Sequence, residues 1–335
     1  MSLNKFAIDF DSAVTNIYKL GSGVVLSEPT VAAVEDGGKK QVKAIGNQAF
    51  KLIGKTTKNT KIVFPVFEGE IVNEKVASGL LSGLLKKAGI ENSLFGATAV
   101  IAVPCGITGD MLEKYKTVTK NAGLGKVYYV ESPILSALGQ HVPITDSSPS
   151  FIIDMAGGVT NIATVSTEGV IAGVSVNLGG NKICADIIDY IAEKYGLLIG
   201  LQTAERLKKE IGSLEEGDSL STVVNGRDMN TGTPKAVCIK AKDLLEPISK
   251  YYDKISEIGT AVLKKLPPEV SAEIRHSGIH VSGSASSVYG LKAYFERKFN
   301  MQVNVAENGT YSVALGGGVA LGNTELLKRI SLSLK

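Results

Sequence analysis

Histidine and cysteine are scarce in this chain, and neither is grouped. His141, His276 and His280 form no His-Glu-x-x-His or comparable ligand cluster, which excludes the usual transition-metal signatures. Cys105, Cys184 and Cys238 stand far apart in apolar surroundings, so neither a disulfide framework nor a zinc site is spelled out, and each reads as a buried side chain. Charge of either sign is not in excess: 36 Lys+Arg against 33 Asp+Glu leave a net +3, too little to mark nucleic acid as a partner. Arginine is confined to Arg206, Arg227, Arg275, Arg297 and Arg329, and lysine carries the rest of the positive charge. No apolar run approaches the roughly 20 residues that cross a bilayer. No basic stretch with an apolar core and cleavage site opens the chain either, and the expectation is a cytoplasmic protein.

What is present is length, apolar content and a repeat. With 335 residues and 44% hydrophobic content, the chain can bury a sizeable core, and domain-size priors favour two lobes. Ile8-Asp9 is followed by Val14-Thr15-Asn16-Ile17, and Ile153-Asp154 by Val159-Thr160-Asn161-Ile162, at identical spacing. Each copy reads as a β-hairpin with an acid near its tip: strands over Phe6 to Phe10 and Thr15 to Lys19, then over Phe151 to Met155 and Thr160 to Val165. The second turn, Asp154-Met155-Ala156-Gly157-Gly158-Val159-Thr160, has the glycines that let backbone N–H groups approach an anion such as phosphate. One such turn is common for conformational reasons alone. Two facing copies would supply one loop per lobe, with Asp9 and Asp154 beside a hydrated Mg²⁺, a cation that prefers oxygen ligands and keeps its waters. The implied ligand is a magnesium nucleotide.

These hairpins, together with further segments, resemble the MreB family of bacterial actin homologues, within the actin, sugar kinase and heat-shock chaperone superfamily. The segments are Gly23-Val24-Val25-Leu26-Ser27-Glu28-Pro29-Thr30-Val31, Val100-Ile101-Ala102-Val103-Pro104, Tyr195-Gly196-Leu197-Leu198-Ile199-Gly200 with Thr203-Ala204-Glu205, Pro267-Pro268-Glu269, and Val313-Ala314-Leu315-Gly316-Gly317-Gly318. The likeness runs nearly end to end. It implies an α/β, actin-like ATPase fold of two duplicated lobes, each a mixed sheet flanked by helices, in four subdomains, with ATP or ADP and Mg²⁺ between the lobes. It also implies head-to-tail filaments, paired protofilaments, and a role in cell shape at the inner face of the membrane, alone or beside paralogous filament proteins.

Carried over by position, the first phosphate loop falls on Asp9 to Thr15, with Ala13, Val14 and Thr15 at its tip, and the second on Asp154 to Thr160, with Gly157, Gly158 and Thr160. Ribose and base contacts fall on Glu205 and Lys208. These two are three apart on one helical face, a spacing that equally suits an exposed ion pair. The family's glycines beneath adenine are represented by Ser282-Gly283-Ser284-Ala285-Ser286, where only Gly283 keeps the most permissive backbone. The glutamate that positions the attacking water is replaced: Glu-Glu-Pro reads Glu131-Ser132-Pro133 here. A serine hydroxyl is a poor proton acceptor, and Glu131 points elsewhere because adjacent side chains diverge. Asp11 and Val14 replace a glycine and an asparagine, Asn161 replaces an acid, and Ala156 shortens the glycine run. ATP binding with slow hydrolysis is the resulting expectation, Ser132 and Thr160 being the catalytic positions.

The organisation expected is a first-lobe core from 1–29, 66–138 and 315–335, with a small insertion at 30–65. A second-lobe core takes 139–179 and 246–314, with an insertion at 180–245 that holds an apolar-periodic segment from Ile183 to Tyr195, a charged helix from Thr203 to Ile211 and a turn-rich stretch from Glu215 to Thr233. Leu94 and Phe95, large apolar residues in a turn, resemble a membrane-inserting loop or fold back as core. No amphipathic segment precedes the first strand, so membrane contact would be peripheral. Two other classes share the fold. A small-molecule kinase would need an extra carboxylate, for which Asp11 is the one candidate, and a chaperone would need a substrate domain beyond Lys335.

Overall fold

The computed structural model describes residues 5–35, 42–90, 97–144, 148–166 and 169–332. Two five-stranded sheets dominate it, and they share one topology. The first runs Lys126–Glu131, Thr98–Val103, Lys5–Phe10, Val14–Lys19, Gly23–Pro29; the second runs Val303–Val305, Ile279–Ser282, Ser150–Met155, Thr160–Ser166, Gly169–Val176. In each, the strand carrying the repeated aspartate is central. It pairs antiparallel with its hairpin partner on one side and parallel with a crossover strand on the other. Burial on both faces explains the nearly continuous apolar runs of these central strands, with Phe6, Ile8, Phe151, Ile152 and Ile153 at most 1% exposed.

Each sheet carries a satellite. Ala32–Glu35, Val42–Ile45 and Thr60–Val63 form a small antiparallel sheet, and Leu197–Leu198, Ser221–Asp228 and Pro234–Lys240 form another. The helices Gly180–Tyr195 and Leu201–Ile211 pack against the latter and against each other. The first buries Ile183, Ile187 and Ile191 on a four-residue spacing and ends where Gly196 adopts the left-handed conformation. The turn-rich reading of 215–233 is corrected here. Ser221–Asp228 is a strand that keeps only Val224 buried, so its sequence lacks the apolar alternation that announces strands and depends on pairing with its neighbour. Cys238 on that neighbour is likewise exposed rather than buried, whereas Cys105 and Cys184 are buried.

The helices Ser132–Gly139 and Ser312–Gly322 cross between the two large sheets. Their approach is close enough that a Cβ on Gly139 would collide with the Ser312 carbonyl, and one on Gly316 with the Leu135 carbonyl. This is the physical reason for the glycines near Val313-Ala314-Leu315: only hydrogen fits at the crossing. Because Ser136 Oγ meets Ser282 Oγ at 2.6 Å and Ser282 donates to Asp154 Oδ1 at 3.0 Å, the crossing is tied directly to the second repeated aspartate.

Candidate functional site

The two hairpins meet tip to tip in the cleft between the large sheets. Asp9 lies opposite Asn16 in its hairpin register, and Asp154 lies opposite Asn161 in the other. The asparagines play matching parts. Asn16 Nδ2 donates to Asp9 Oδ2 at 3.3 Å and to the Thr310 carbonyl at 3.1 Å; Asn161 Nδ2 donates to Asp154 Oδ2 at 3.4 Å while its Oδ1 accepts from Cys105 N at 3.0 Å. Each therefore orients its own carboxylate and crosses to an element of the other sheet. Asn16 Oδ1 is buried and has no partner in the protein, an acceptor left for a donor in the cleft.

Three carboxylates share this space. Asp9, Asp11 and Asp154 line one cavity of about 40 Å³ with Ser132, Asn161 and Gly283. Asp154 is 1% exposed, and its carboxyl is pushed up to about 6, mainly by burial, partly offset by hydrogen bonds from Ser282 and Asn161 and reinforced by the charge of Asp11. Burial also holds Asp9 well above the usual range, with Asp11 and Asp154 adding like-charge repulsion against the hydrogen bond from Asn16. Clustered, desolvated oxygen acids of this kind favour a hard divalent cation, which would remove the repulsion. Among the described residues no three His, Cys, Asp or Glu side chains are grouped as a metal site; a magnesium ion held through its own waters needs no such group.

A second cavity, of about 340 Å³, opens beside the first and reaches Ala13, Val14, Gly157, Gly180, Glu205, Lys208 and Ser284. It brings the tips of both hairpins together with the helix Leu201–Ile211. Glu205 and Lys208 do not pair with each other: Glu205 accepts from Lys209 at 3.0 Å, and Lys208 Nζ points to the Gly180 carbonyl at 3.5 Å. Gly283, at φ +91°, passes so close over Met155 that a Cβ would strike its backbone. Gly180 N and Asn181 N donate to the carbonyls of Ala156 and Gly157, both at 2.9 Å, fixing the second turn against a helix start.

Thr15, Thr160 and Ala285 line neither cavity, and Ser132 reaches only the first. Thr15 Oγ1 meets Thr30 Oγ1 at 2.8 Å, and Thr160 Oγ1 bonds the Leu178 carbonyl and Tyr251 Oη. Ala285 is buried, and its carbonyl accepts from Tyr252 Oη at 2.6 Å. Ser132 begins the helix Ser132–Gly139 and donates to the Val103 carbonyl at 3.1 Å, whereas Glu131 turns away to accept from Gly106 N at 2.6 Å. Gly158 lines neither cavity, and its N–H faces Asp11. Leu94 and Phe95 lie outside the described residues. Asn16, Thr310 and Tyr251 received no role from the sequence. For Asn16 and Asn161 the signal was present, because the repeat itself contains both.

A duplicated sheet topology with acidic hairpins facing across a cleft defines the actin-like class of two-lobed proteins. Comparison with known proteins agrees and goes further. The model of the MreB/Mbl protein family matches residues 3–329. The chain is 32% identical over 326 residues to the cell shape-determining protein MreB of Escherichia coli K12, covering 96% of this chain and 94% of that one. It is 30% identical to the cell shape-determining protein Mbl of Bacillus subtilis, covering 99% and 100%. Its fold matches the crystal structure of MreB5 of Spiroplasma citri bound to AMPPNP with a TM-score of 0.91, at 28% identity over 97% of this chain and 98% of that one. The MamK double helical filament shares the fold at a TM-score of 0.80 and 18% identity, covering 96% and 99%. The chain belongs to the MreB/Mbl family.

Proposed function

We propose that this chain is a bacterial cytoskeletal subunit that binds ATP or ADP with Mg²⁺ in the cleft and assembles with copies of itself into filaments supporting cell shape. One observation carries the nucleotide reading: the facing hairpins gather Asp9, Asp11 and Asp154 at the wall of one cavity, and the adjoining cavity, which shares Val14, Ser284 and Thr310 with it, reaches Glu205 and Lys208. Asp9 and Asp154 would hold the waters of the cation, the turn at Gly157 would face phosphate, and Glu205 and Lys208 would meet the ribose. MreB5, an analogue of the same fold, is known bound to AMPPNP and to ADP. The bound cation would neutralise charge on the phosphates. The four-part division set out from the sequence is part of this proposal, with its 245/246 and 314/315 boundaries falling inside the helices Ala241–Leu263 and Ser312–Gly322.

Turnover is slow in this reading. The Ser132 hydroxyl is engaged with the Val103 carbonyl and Glu131 with Gly106, leaving no carboxylate at the water-positioning place. A kinase is disfavoured because Asp11, the acid it would need, accepts from backbone N–H groups. Among the described residues no helix is long and apolar enough to cross a membrane. In this reading any membrane contact is peripheral, at the inner face of the cell membrane, and uses Leu94 and Phe95, which lie outside the described residues. Sedimentation and negative-stain microscopy with and without Mg-ATP test the central reading. Nucleotide-sensitive polymers are expected; a strictly monomeric chain with sugar-stimulated ATP consumption would refute it.

A further inference from the structure

The carboxylate of Asp11 leaves its own hairpin and enters the other one. Its Oδ2 accepts from Gly157 N at 2.8 Å and from Ala13 N at 3.2 Å, and its Oδ1 from Gly158 N at 3.4 Å. Both oxygens are used, and two of the three donors belong to the opposite lobe. The Gly157 and Gly158 amides are the groups that the second turn presents to an anion. They are already matched by a carboxylate, which is planar, negative and rich in acceptors, as a phosphate oxygen pair is.

The packing at the tips fits this arrangement. A Cβ on Gly157 would collide with Ala13 and the Asp11 carboxylate, and one on Gly158 with Ser12, so the short side chains of the first turn pack directly on the glycines of the second. Ser12 Oγ is in turn anchored by Gly69 N at 3.2 Å. The second turn is held from behind by Gly180 N and Asn181 N. Neither partner is free to drift, and the bonds between Asp11 and the two glycines join two braced loops.

We propose that Asp11 is a built-in phosphate surrogate: its carboxylate clasps the two lobes by occupying the Gly157 and Gly158 amides, and a polyphosphate ligand binds by displacing it. Asp11 then sets the affinity of the site. An incoming phosphate regains the same N–H donors but must first release the clasp, so the apparent affinity falls by the fraction of molecules in which the clasp is open. A hydrogen bond to a charged acceptor is worth enough to make that penalty about tenfold or more. The inference rests on the nucleotide reading for its ligand, but the clasp itself does not.

Two readouts on the full-length chain test it. Hydrogen exchange without added nucleotide reports the Gly157 and Gly158 amides directly in wild type, Asp11→Gly and Asp11→Asn. Calorimetric titration with Mg-ATP, Mg-ADP and inorganic pyrophosphate reports affinity. Exchange at the two glycines should accelerate in both variants. Binding should tighten by about tenfold or more in Asp11→Gly, with Asp11→Asn between, because an amide keeps one acceptor and loses the charge. Thermal melting shows that both variants fold, and Asp11→Asn preserves side-chain size should the glycine variant fail. Unchanged exchange overturns the clasp. Faster exchange with equal or weaker binding overturns the competition. If nucleotide binds wild type and both variants alike, the inference fails while the nucleotide reading stands; if none of the three binds nucleotide or pyrophosphate, the nucleotide reading fails with it.

Discussion

Replacing Asp154 by asparagine probes the charge of the cleft while nearly preserving its shape. The side chain is 1% exposed, and its carboxyl rises from 3.8 to about 6, first through burial. That shift corresponds to about 3 kcal/mol at neutral pH. Below the unfolded value the acid is protonated in both states and the folded chain bears no penalty. As pH rises between about 4 and 6 the folded state holds its proton more tightly than the unfolded one, so this contribution to stability is lost, and above about 6 the loss is complete. Asparagine removes the charge and still accepts from Ser282, but its amide faces Asn161 Nδ2 where a carboxylate oxygen stood. The lost hydrogen bond returns about 1 kcal/mol of the gain. Ligand-free Asp154→Asn should therefore exceed wild type by about 2 kcal/mol near neutral pH, or roughly 3 °C in Tm for a chain of this size, with the gain vanishing between about pH 4 and 5 and reversing below. Thermal denaturation in chelator across this pH range measures it. A lower Tm near neutral pH, or a difference that does not depend on pH, would refute the claim that Asp154 is an uncompensated buried charge.

Other substitutions test other parts of the account. Gly316→Ala places a methyl against the Leu135 carbonyl at the helix crossing and should cost about 2–3 kcal/mol, read as a lower Tm; a neutral effect would mean that the crossing is loose. Ser132→Glu should raise phosphate release by about 10²-fold or more if position 132 orients the attacking water, and an unchanged rate would show the assignment to be wrong. Leu94→Ser with Phe95→Ser should reduce co-sedimentation with liposomes, whereas unaltered binding would return both residues to a packing role.

Most of the fold was legible because it is written twice. The spacing from Ile8-Asp9 to Thr15-Asn16 recurs from Ile153-Asp154 to Thr160-Asn161, and central strands buried on both faces leave long apolar runs. Strand Ser221–Asp228 escaped because only Val224 of it is buried, so no hydrophobic period marks it. Within the site, local geometry was accessible and cross-lobe geometry was not. Helical spacing put Glu205 and Lys208 on one face, yet it could not reveal that Glu205 pairs with Lys209 or that Lys208 turns toward Gly180. Asp11 read as a replaced glycine and as the one acid a kinase could use. Its bonds to Gly157 and Gly158 join residues 146 and 147 positions apart, and no short-range signal encodes such a contact. Thr160 read as part of a reactive loop, whereas its hydroxyl is spent on Leu178 and Tyr251, partners that only the folded sheet and its covering helix bring near.

The central claim is that the two hairpins form one clamp around a magnesium nucleotide. A crystal structure of this chain grown with Mg-ADP tests it most directly. The account predicts the diphosphate between the hairpins, a hydrated cation whose waters reach Asp9 and Asp154, the ribose beside Glu205 and Lys208, and Asp11 withdrawn from the Gly157 and Gly158 amides. A nucleotide bound elsewhere, or bound in the cleft with its cation remote from both aspartates, would contradict it.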